Sequence, residues 1–310
     1  MKILGIESSH DDTSIAIVEN KKVLINLKIS QINIHKQYGG TIPEIASREH
    51  FNNFMILLEE LKSKVDLNEI DYVAYTETPG LIGALQMGKL FSHAISKSLN
   101  KPLIPINHLD GHIFSVLLNK EDKIEYPAIA LVISGGHTNL YYLENDKDKQ
   151  LIGNTLDDAA GEVFDKVAWS LFKEFPGGKL IDDIFSQNQN TDFSKYKFSN
   201  PKLTNKFDFS FSGYKTQVIN LVKNTESIDK NLIATSFQKH IIDFIITKVQ
   251  LAINEYKPNS VILSGGVSAN KYLRKQFYKL HENVLMPLFE YSTDNGAMIA
   301  IAAFEKLSSK

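Results

Sequence analysis

Two histidines four residues apart, in His108-Leu109-Asp110-Gly111-His112, are the sharpest chemical feature of this sequence. On a helix that begins after the N-cap candidate Asn107 they project from one face and can share a cation. The pattern is not the HExxH of zinc peptidases, because Leu109 stands where that motif has its glutamate. A cation needs a further ligand, and Asp294, in Ser292-Thr293-Asp294-Asn295-Gly296, offers a carboxylate at the start of the last expected helix. Two imidazoles and one carboxylate leave positions open for water or substrate, as reactive iron and zinc centres do. An aspartate before a helix also serves as an N-cap, and histidine pairs at this spacing also occur without a metal, so spacing alone leaves both roles open.

Three glycine-bearing turns are expected to follow strands: Ser134-Gly135-Gly136-His137-Thr138, Pro176-Gly177-Gly178 and Ser264-Gly265-Gly266. Glycine lets backbone N–H groups approach an anion, and a helix start adds a favourable dipole. None matches the Walker pattern; in Gly83 to Lys89, which comes nearest, Leu90 stands where Ser or Thr is required. Acidic residues cluster at Asp11-Asp12, at Asp157-Asp158 and from Glu162 to Asp165. On a helix, Asp158, Glu162 and Asp165 would share one face, a repulsive arrangement unless a ribose or a cation uses it.

The elements that must position these groups repeat. Ile3 to Ser9 and Ser14 to Asn20 flank the polar turn His10 to Thr13, and Ala128 to Ser134 and Asn139 to Leu143 flank Gly135 to Thr138; each is a hairpin signature. Two hairpins opening two halves predict a duplicated α/β fold with a cleft between the copies. Pro43 to Lys62 reads as an amphipathic helix with proline at its first position. A strand over 71–76, helices to about Leu99, over 229–256 and over 295–307, and a strand over 260–264 continue the alternation. Gln187 to Lys206, rich in Asn, Ser, Lys and Asp, reads as a surface loop.

Bulk properties narrow the function classes. Across 310 residues the net charge is −2, which argues against coating nucleic acid by charge alone. Only Arg48 and Arg274 are arginine, so phosphate contacts would rest on lysine. The absence of cysteine removes disulfides, thiolate nucleophiles and thiolate metal sites. No apolar run approaches the roughly 20 residues that span a bilayer, and Met1 to Glu7 carries no secretory or transit signal. A cytoplasmic location is expected.

The ordered motifs make a resemblance. They are Gly5-Ile6-Glu7-Ser8-Ser9-x-Asp11-Asp12-Thr13, Tyr38-Gly39-Gly40-x-x-Pro43-Glu44-x-Ala46-Ser47-Arg48-x-His50 and Asn107-His108-x-x-Gly111-His112. Val132 to Thr138, Asp157 to Glu162, Phe209 to Gly213 and Ser292 to Met298 complete the set. The chain resembles, over essentially its whole length, the TsaD/Gcp family of tRNA threonylcarbamoyl transferases, once described as glycoproteases. The resemblance implies an actin-like, hexokinase-like (ASKHA, RNase H-like) fold with the active site between two lobes. The lobes are expected over 1–125 and 126–294, with a helix over 295–310 returning to the first.

It also implies transfer of threonylcarbamoyl from threonylcarbamoyl-AMP to N6 of adenosine 37 in tRNAs that read codons beginning with A. His108, His112 and Asp294 match the ligands of a divalent metal, iron(II) expected and zinc the alternative. Val132, Ile133, Ser134, Gly135, Gly136, Asp165, Gly178, Asp182 and Asn270 match positions that hold the adenylate, where ATP, ADP or AMP could also sit. Asp11, Asp12 and His137 are candidates for the general base. A paralogous actin-like subunit and a small ATPase are the partners implied. Departures from the family pattern include His10, Ser292, Tyr214 and Lys179, and Asp12 where a glutamate is common. An actin-like ATPase or sugar kinase would share the fold but leave the histidine pair unexplained. A metallopeptidase would need the missing glutamate, and the family's scaffold relative lacks the metal motif that is intact here.

Overall fold

The structure is a computed structural model that describes residues 1–188, 191–193, 195–224 and 228–308. The chain divides into two compact units, Met1–Lys123 together with Pro287–Lys310, and Ile124–Met286.

In the first unit, β1 (Lys2–Glu7), β2 (Asp12–Glu19) and β3 (Lys22–Ser30) form an antiparallel meander. The short α1 (Ile32–His35) and the long α2 (Pro43–Lys64) follow. Strand β4 (Tyr72–Thr78) then pairs in parallel with β1. Helix α3 (Ile82–Leu99) crosses to β5 (Leu103–Asn107), which runs straight into α4 (His108–Phe114). The sheet order is β3-β2-β1-β4-β5.

In the second unit, β6 (Ala128–Ile133), β7 (Thr138–Leu143) and β8 (Lys149–Asn154) repeat the meander. Four helices follow: α5 (Ala160–Phe172), α6 (Gly178–Gln187), α7 (Ser212–Asn224) and α8 (Lys230–Tyr256). Strand β9 (Ser260–Ser264) pairs in parallel with β6, and α9 (Lys271–Phe277) leads to β10 (Val284–Leu285). The sheet order, β10-β9-β6-β7-β8, is that of the first sheet with β6 in the place of β1 and β9 in the place of β4. The repeat seen in the two hairpins therefore extends to whole sheets.

The chain re-enters the first unit at Pro287 and ends in α10 (Gly296–Ser308). This helix is apolar nearly all round and buried from Gly296 to Ala303, as a helix inside a core must be. It packs on β1 and β2. A Cβ on Gly5 would lie 2.1 Å from the Gly296 carbonyl oxygen, and one on Gly296 would lie 2.6 Å from that of Gly5. Two glycines facing each other thus let the start of α10 touch the strand backbone, and that contact fixes where Asp294 can be.

Three expectations need correction. Pro176-Gly177-Gly178 follows helix α5, not a strand. Asp158 lies before α5, so it does not share a helical face with Glu162 and Asp165. It pairs instead with Lys215 and, at 3.8 Å, with Lys166, which also binds Glu162. The stretch from Gln187 to Lys206 is not all surface. Residues 189, 190 and 194 lie outside the described residues, but Phe198 is buried in the core of the second unit. Among the described residues no helix is long and apolar enough to cross a membrane.

Candidate metal centre and glycine-rich turns

The histidine pair is placed by local chemistry. Asn107 ends β5 in extended conformation, and its Oδ1 accepts from the Leu109 N–H at 2.9 Å, so the helix starts at His108. One turn later His112 lies on the same face, with ring centroids 4.7 Å apart and nearly perpendicular. Gly111 lets this helix sit against α10, because a Cβ there would come within 3.0 Å of Ile299 Cδ1 and 3.2 Å of Met298 Cγ. Asp294 is not the cap of α10. Asn295 takes that role, accepting from the Met298 N–H at 3.0 Å. The Asp294 carboxylate is left to face the imidazoles, its Oδ1 3.1 Å from His112 Nε2 and 3.7 Å from His108 Nε2. One ligand atom from each of the three lies within 4.8 Å of the others.

Behind the triad stands Glu7, fully buried at the end of β1. It accepts from the Ser9 N–H and the Thr76 hydroxyl, both at 2.5 Å, and lies 3.1 Å from His108 Nδ1. A carboxylate at Nδ1 holds the proton there and presents Nε2 to the triad, the usual arrangement behind a metal-bound histidine. Burial would depress the His108 pKa, but the Glu7 and Asp294 carboxylates outweigh it and raise it to about 9. Burial would raise Asp294, but His108 and His112 hold it well below the usual carboxylate range.

The residues fit a metal. Both ring nitrogens of His112 are buried without a hydrogen bond, although Nε2 is so near Asp294. An imidazole nitrogen left without a hydrogen bond in a buried site is costly unless something occupies its lone pair. Two borderline nitrogen donors and one hard oxygen suit a first-row divalent cation such as iron or zinc.

Of the base candidates, Asp11 and Asp12 lie in the same unit. Asp11 bonds His10 at 2.7 Å. Asp12 receives Lys28 Nζ at 2.8 Å, and the same ammonium reaches Thr293 Oγ1 at 3.0 Å and the Asp294 carbonyl at 3.4 Å. Lys28 therefore ties Asp12 to the loop that carries Asp294. The other Asp12 oxygen, Oδ1, is buried without a hydrogen bond. Burial pushes its pKa up, against the pull of Lys28. His137 belongs to the second unit, in the β6–β7 turn, where its N–H donates to Ser134 Oγ at 3.2 Å and its carbonyl accepts from the Ser134 N–H at 2.8 Å.

Six glycines near the turns of the second unit fall into two groups. A Cβ on Gly161 would meet the Ser134 carbonyl at 2.6 Å, one on Gly177 the Ala168 Cβ at 2.1 Å, and one on Gly265 the Ile133 carbonyl at 2.4 Å. Gly161 and Gly265 are glycine because backbone crosses backbone, and Gly177 because the Ala168 methyl lies against it. Gly135, Gly136 and Gly178 have nothing within 4 Å of a Cβ. Neither packing nor a positive φ demands glycine there, so the missing side chain leaves room for a group to approach the backbone closely.

The side chains of Val132 and Ile133 are core, and these residues can offer only backbone. Asp165 accepts from the Gly177 N–H at 2.6 Å. Asp182 and Asn270, 88 positions apart, meet through Gln238, which donates to Asp182 Oδ1 at 2.9 Å and accepts from Asn270 Nδ2 at 3.0 Å. The Asp157 carboxylate accepts from Ser210, Phe211 and Ser212, and so fastens the Phe209–Gly213 motif at the start of α7. Sequence reasoning did not single out Glu7, Lys28 or Gln238 as site residues. For Glu7 there was a signal, a carboxylate ending the apolar run Ile3–Ile6; for Gln238, flanked by Ser236, Lys239 and His240, and for Lys28, on the half-exposed β3, there was none.

Comparison with known proteins identifies relatives over the whole chain. A protein of Mycoplasma mobile named tRNA N6-adenosine threonylcarbamoyltransferase is 58% identical over 308 residues, covering 99% of each chain. Proteins of the same name from Mycoplasmopsis synoviae and Mycoplasma capricolum are 54% and 44% identical, each covering at least 99% of both chains. Among solved structures, HypF of T. kodakarensis superposes with a TM-score of 0.66 at 13% identity, and full-length HypF in its phosphate- and nucleotide-bound form with 0.61 at 16%. This chain covers only 48% and 46% of those two, about half their length, and the likeness is one of α/β fold. The family model described as TsaD, tRNA N6-adenosine threonylcarbamoyltransferase, matches residues 22–301, and the chain belongs to that family.

Proposed function

We propose that this chain transfers the threonylcarbamoyl group of threonylcarbamoyl-AMP to N6 of adenosine 37 in tRNAs that read codons beginning with A, releasing AMP. The observation that carries the reading is the His108–His112–Asp294 group, its imidazoles buried and its carboxylate partly exposed, with Glu7 behind it, in a chain of the TsaD family. In the reaction the exocyclic amine of adenine attacks the carbamoyl carbon. A C–N bond forms, the C–O bond to phosphate breaks, AMP leaves with the electron pair, and the amine gives up a proton.

The amine is a weak nucleophile, since its lone pair is delocalised into the ring, so positioning and charge stabilisation carry most of the task. His108, His112 and Asp294 would hold one divalent cation, iron(II) in our reading with zinc the alternative. Bound there, it supplies Lewis-acid charge for phosphate or carbonyl oxygen. Glu7 keeps the proton of His108 on Nδ1, so that Nε2 is the ligating atom. The backbone N–H groups of Gly135, Gly136 and Gly178 receive anionic oxygen, with the Val132–Ser134 backbone leading into the first pair. Asp165, Asp182 and Asn270 hold the nucleoside part. For the amine proton, Asp12 is favoured over Asp11 and His137, because one oxygen of its carboxylate is buried without a hydrogen-bond donor.

The partners in this reading are tRNA, met through lysines, a paralogous actin-like subunit and a small ATPase. The location is the cytoplasm. The test is a transfer assay on unmodified tRNA with threonylcarbamoyl-AMP, with and without those partner proteins, its nucleosides read by mass spectrometry. Modified adenosine at position 37, lost by at least about a thousandfold in folded His112→Ala, is expected. Normal product from that variant would sink the reading.

A further inference from the structure

Gln238 lies outside every motif singled out in the sequence, yet it is a fully buried amide on the core side of α8, among Ile233, Ala234, Phe237 and Ile241. An apolar residue would fill that space without the cost of burying a polar group, so its presence needs a reason. Both ends of the amide are used: Nε2 donates to Asp182 Oδ1 and Oε1 accepts from Asn270 Nδ2. An ionised carboxylate only accepts, so Asp182 forces Nε2 towards itself. That leaves Oε1 for Asn270, which must turn its own Nδ2 towards Gln238 and its Oδ1 away. Asn270 Oδ1 then caps α9 at the Leu273 N–H, 2.9 Å away, and the second Asp182 oxygen accepts from the Lys271 N–H at 3.0 Å. The polarity of one amide thus sets the orientation of two side chains on α6 and at the start of α9. Asp182 is 5% and Asn270 8% exposed, so each offers a ligand only a narrow edge, whose chemistry depends on which way the group is turned.

The geometry points to Gln238 as a positioning residue for the nucleotide, one that fixes the donor and acceptor edges of Asp182 and Asn270. The inference rests on the reading above that Asp182 and Asn270 hold the adenylate. A residue with this role acts on binding of the nucleotide and leaves the chemical step alone.

The test uses AMP as probe, by titration calorimetry on the full chain. Gln238→Met should weaken AMP about tenfold or more, the scale of losing a hydrogen bond to a charged group. It should raise KM for threonylcarbamoyl-AMP with little change in kcat, and in an Asp182→Ala background it should cost clearly less. If Gln238→Met fails to fold, Gln238→Asn, which keeps the amide but shortens its reach, takes its place with the same expectation. Unchanged AMP affinity in a folded Gln238 variant, or an equal loss in both backgrounds, would overturn the inference alone. AMP binding that survives both Asp182→Ala and Asn270→Ala would instead overturn the reading beneath it.

Discussion

The two units share a sheet topology and differ in what they carry at the ends of their strands. In the first, β1 runs out in a buried carboxylate, Glu7, and β5 runs out in the His108–His112 helix. In the second, β6 runs out in Ser134-Gly135-Gly136, and β9 in Ser264-Gly265-Gly266. The first set of groups can gather around a cation; the second offers glycine backbone, where an anion can approach N–H groups closely. A duplicated frame can therefore diverge in chemistry at the strand ends while its strand order stays fixed. Glycine shows the same contrast. Gly5, Gly296 and Gly161 are demanded by backbone contact, Gly135 and Gly178 by nothing in the protein itself.

Each side of that contrast can be broken separately. The largest effect after loss of the ligating His112 is expected at Glu7. Glu7→Gln removes the charge that fixes His108 and should weaken iron(II) or zinc binding by about 10–100-fold, read by competition with a chelator. Unchanged affinity would mean that His108 needs no carboxylate behind it. Next come the two classes of glycine. Gly161→Ala should lower unfolding free energy by about 1–3 kcal/mol or more, since its Cβ would meet the Ser134 carbonyl, whereas Gly135→Ala should leave stability within about 0.5 kcal/mol and weaken AMP binding. Denaturant titration checks the first arm and calorimetry the second; equal destabilisation by both would erase the distinction.

The last effect is in pH, and within any one pH unit it is at most about tenfold. The His108 pKa, raised to about 9 in the metal-free chain, means that cation binding near neutral pH displaces its proton. Affinity should rise by up to about tenfold per pH unit and level off near pH 9. The stability contributed by protonated His108 is full below its unfolded value of about 6.5 and lost as pH rises through 9, so the metal-free chain should lose Tm over that window. Glu7→Gln should flatten both curves.

Local grammar made much of this readable. Asn107, capping the helix it was expected to cap, set the histidine pair, and the two hairpins announced the duplicated sheets. Asp294 was ambiguous in sequence, since an aspartate before a helix has two uses; Asn295 settled it by taking the cap. The failures were long-range. Asp158 was assigned to a helical face by spacing, but Asp157 beside it is held by the Ser210–Ser212 segment, 53 to 55 positions on, and the helix starts only at Ala160. Glu7 and Gln238 act through partners 101 and 56 positions away, and no periodicity reveals such pairs.

The most direct test of the division between the units is the metal content of the whole chain. Wild type and His112→Ala would be reconstituted anaerobically with iron(II), desalted and measured by inductively coupled plasma mass spectrometry, with circular dichroism to confirm that both are folded. The account predicts a single tightly held cation per wild-type chain and essentially none in His112→Ala. Equal metal in the two proteins would contradict it.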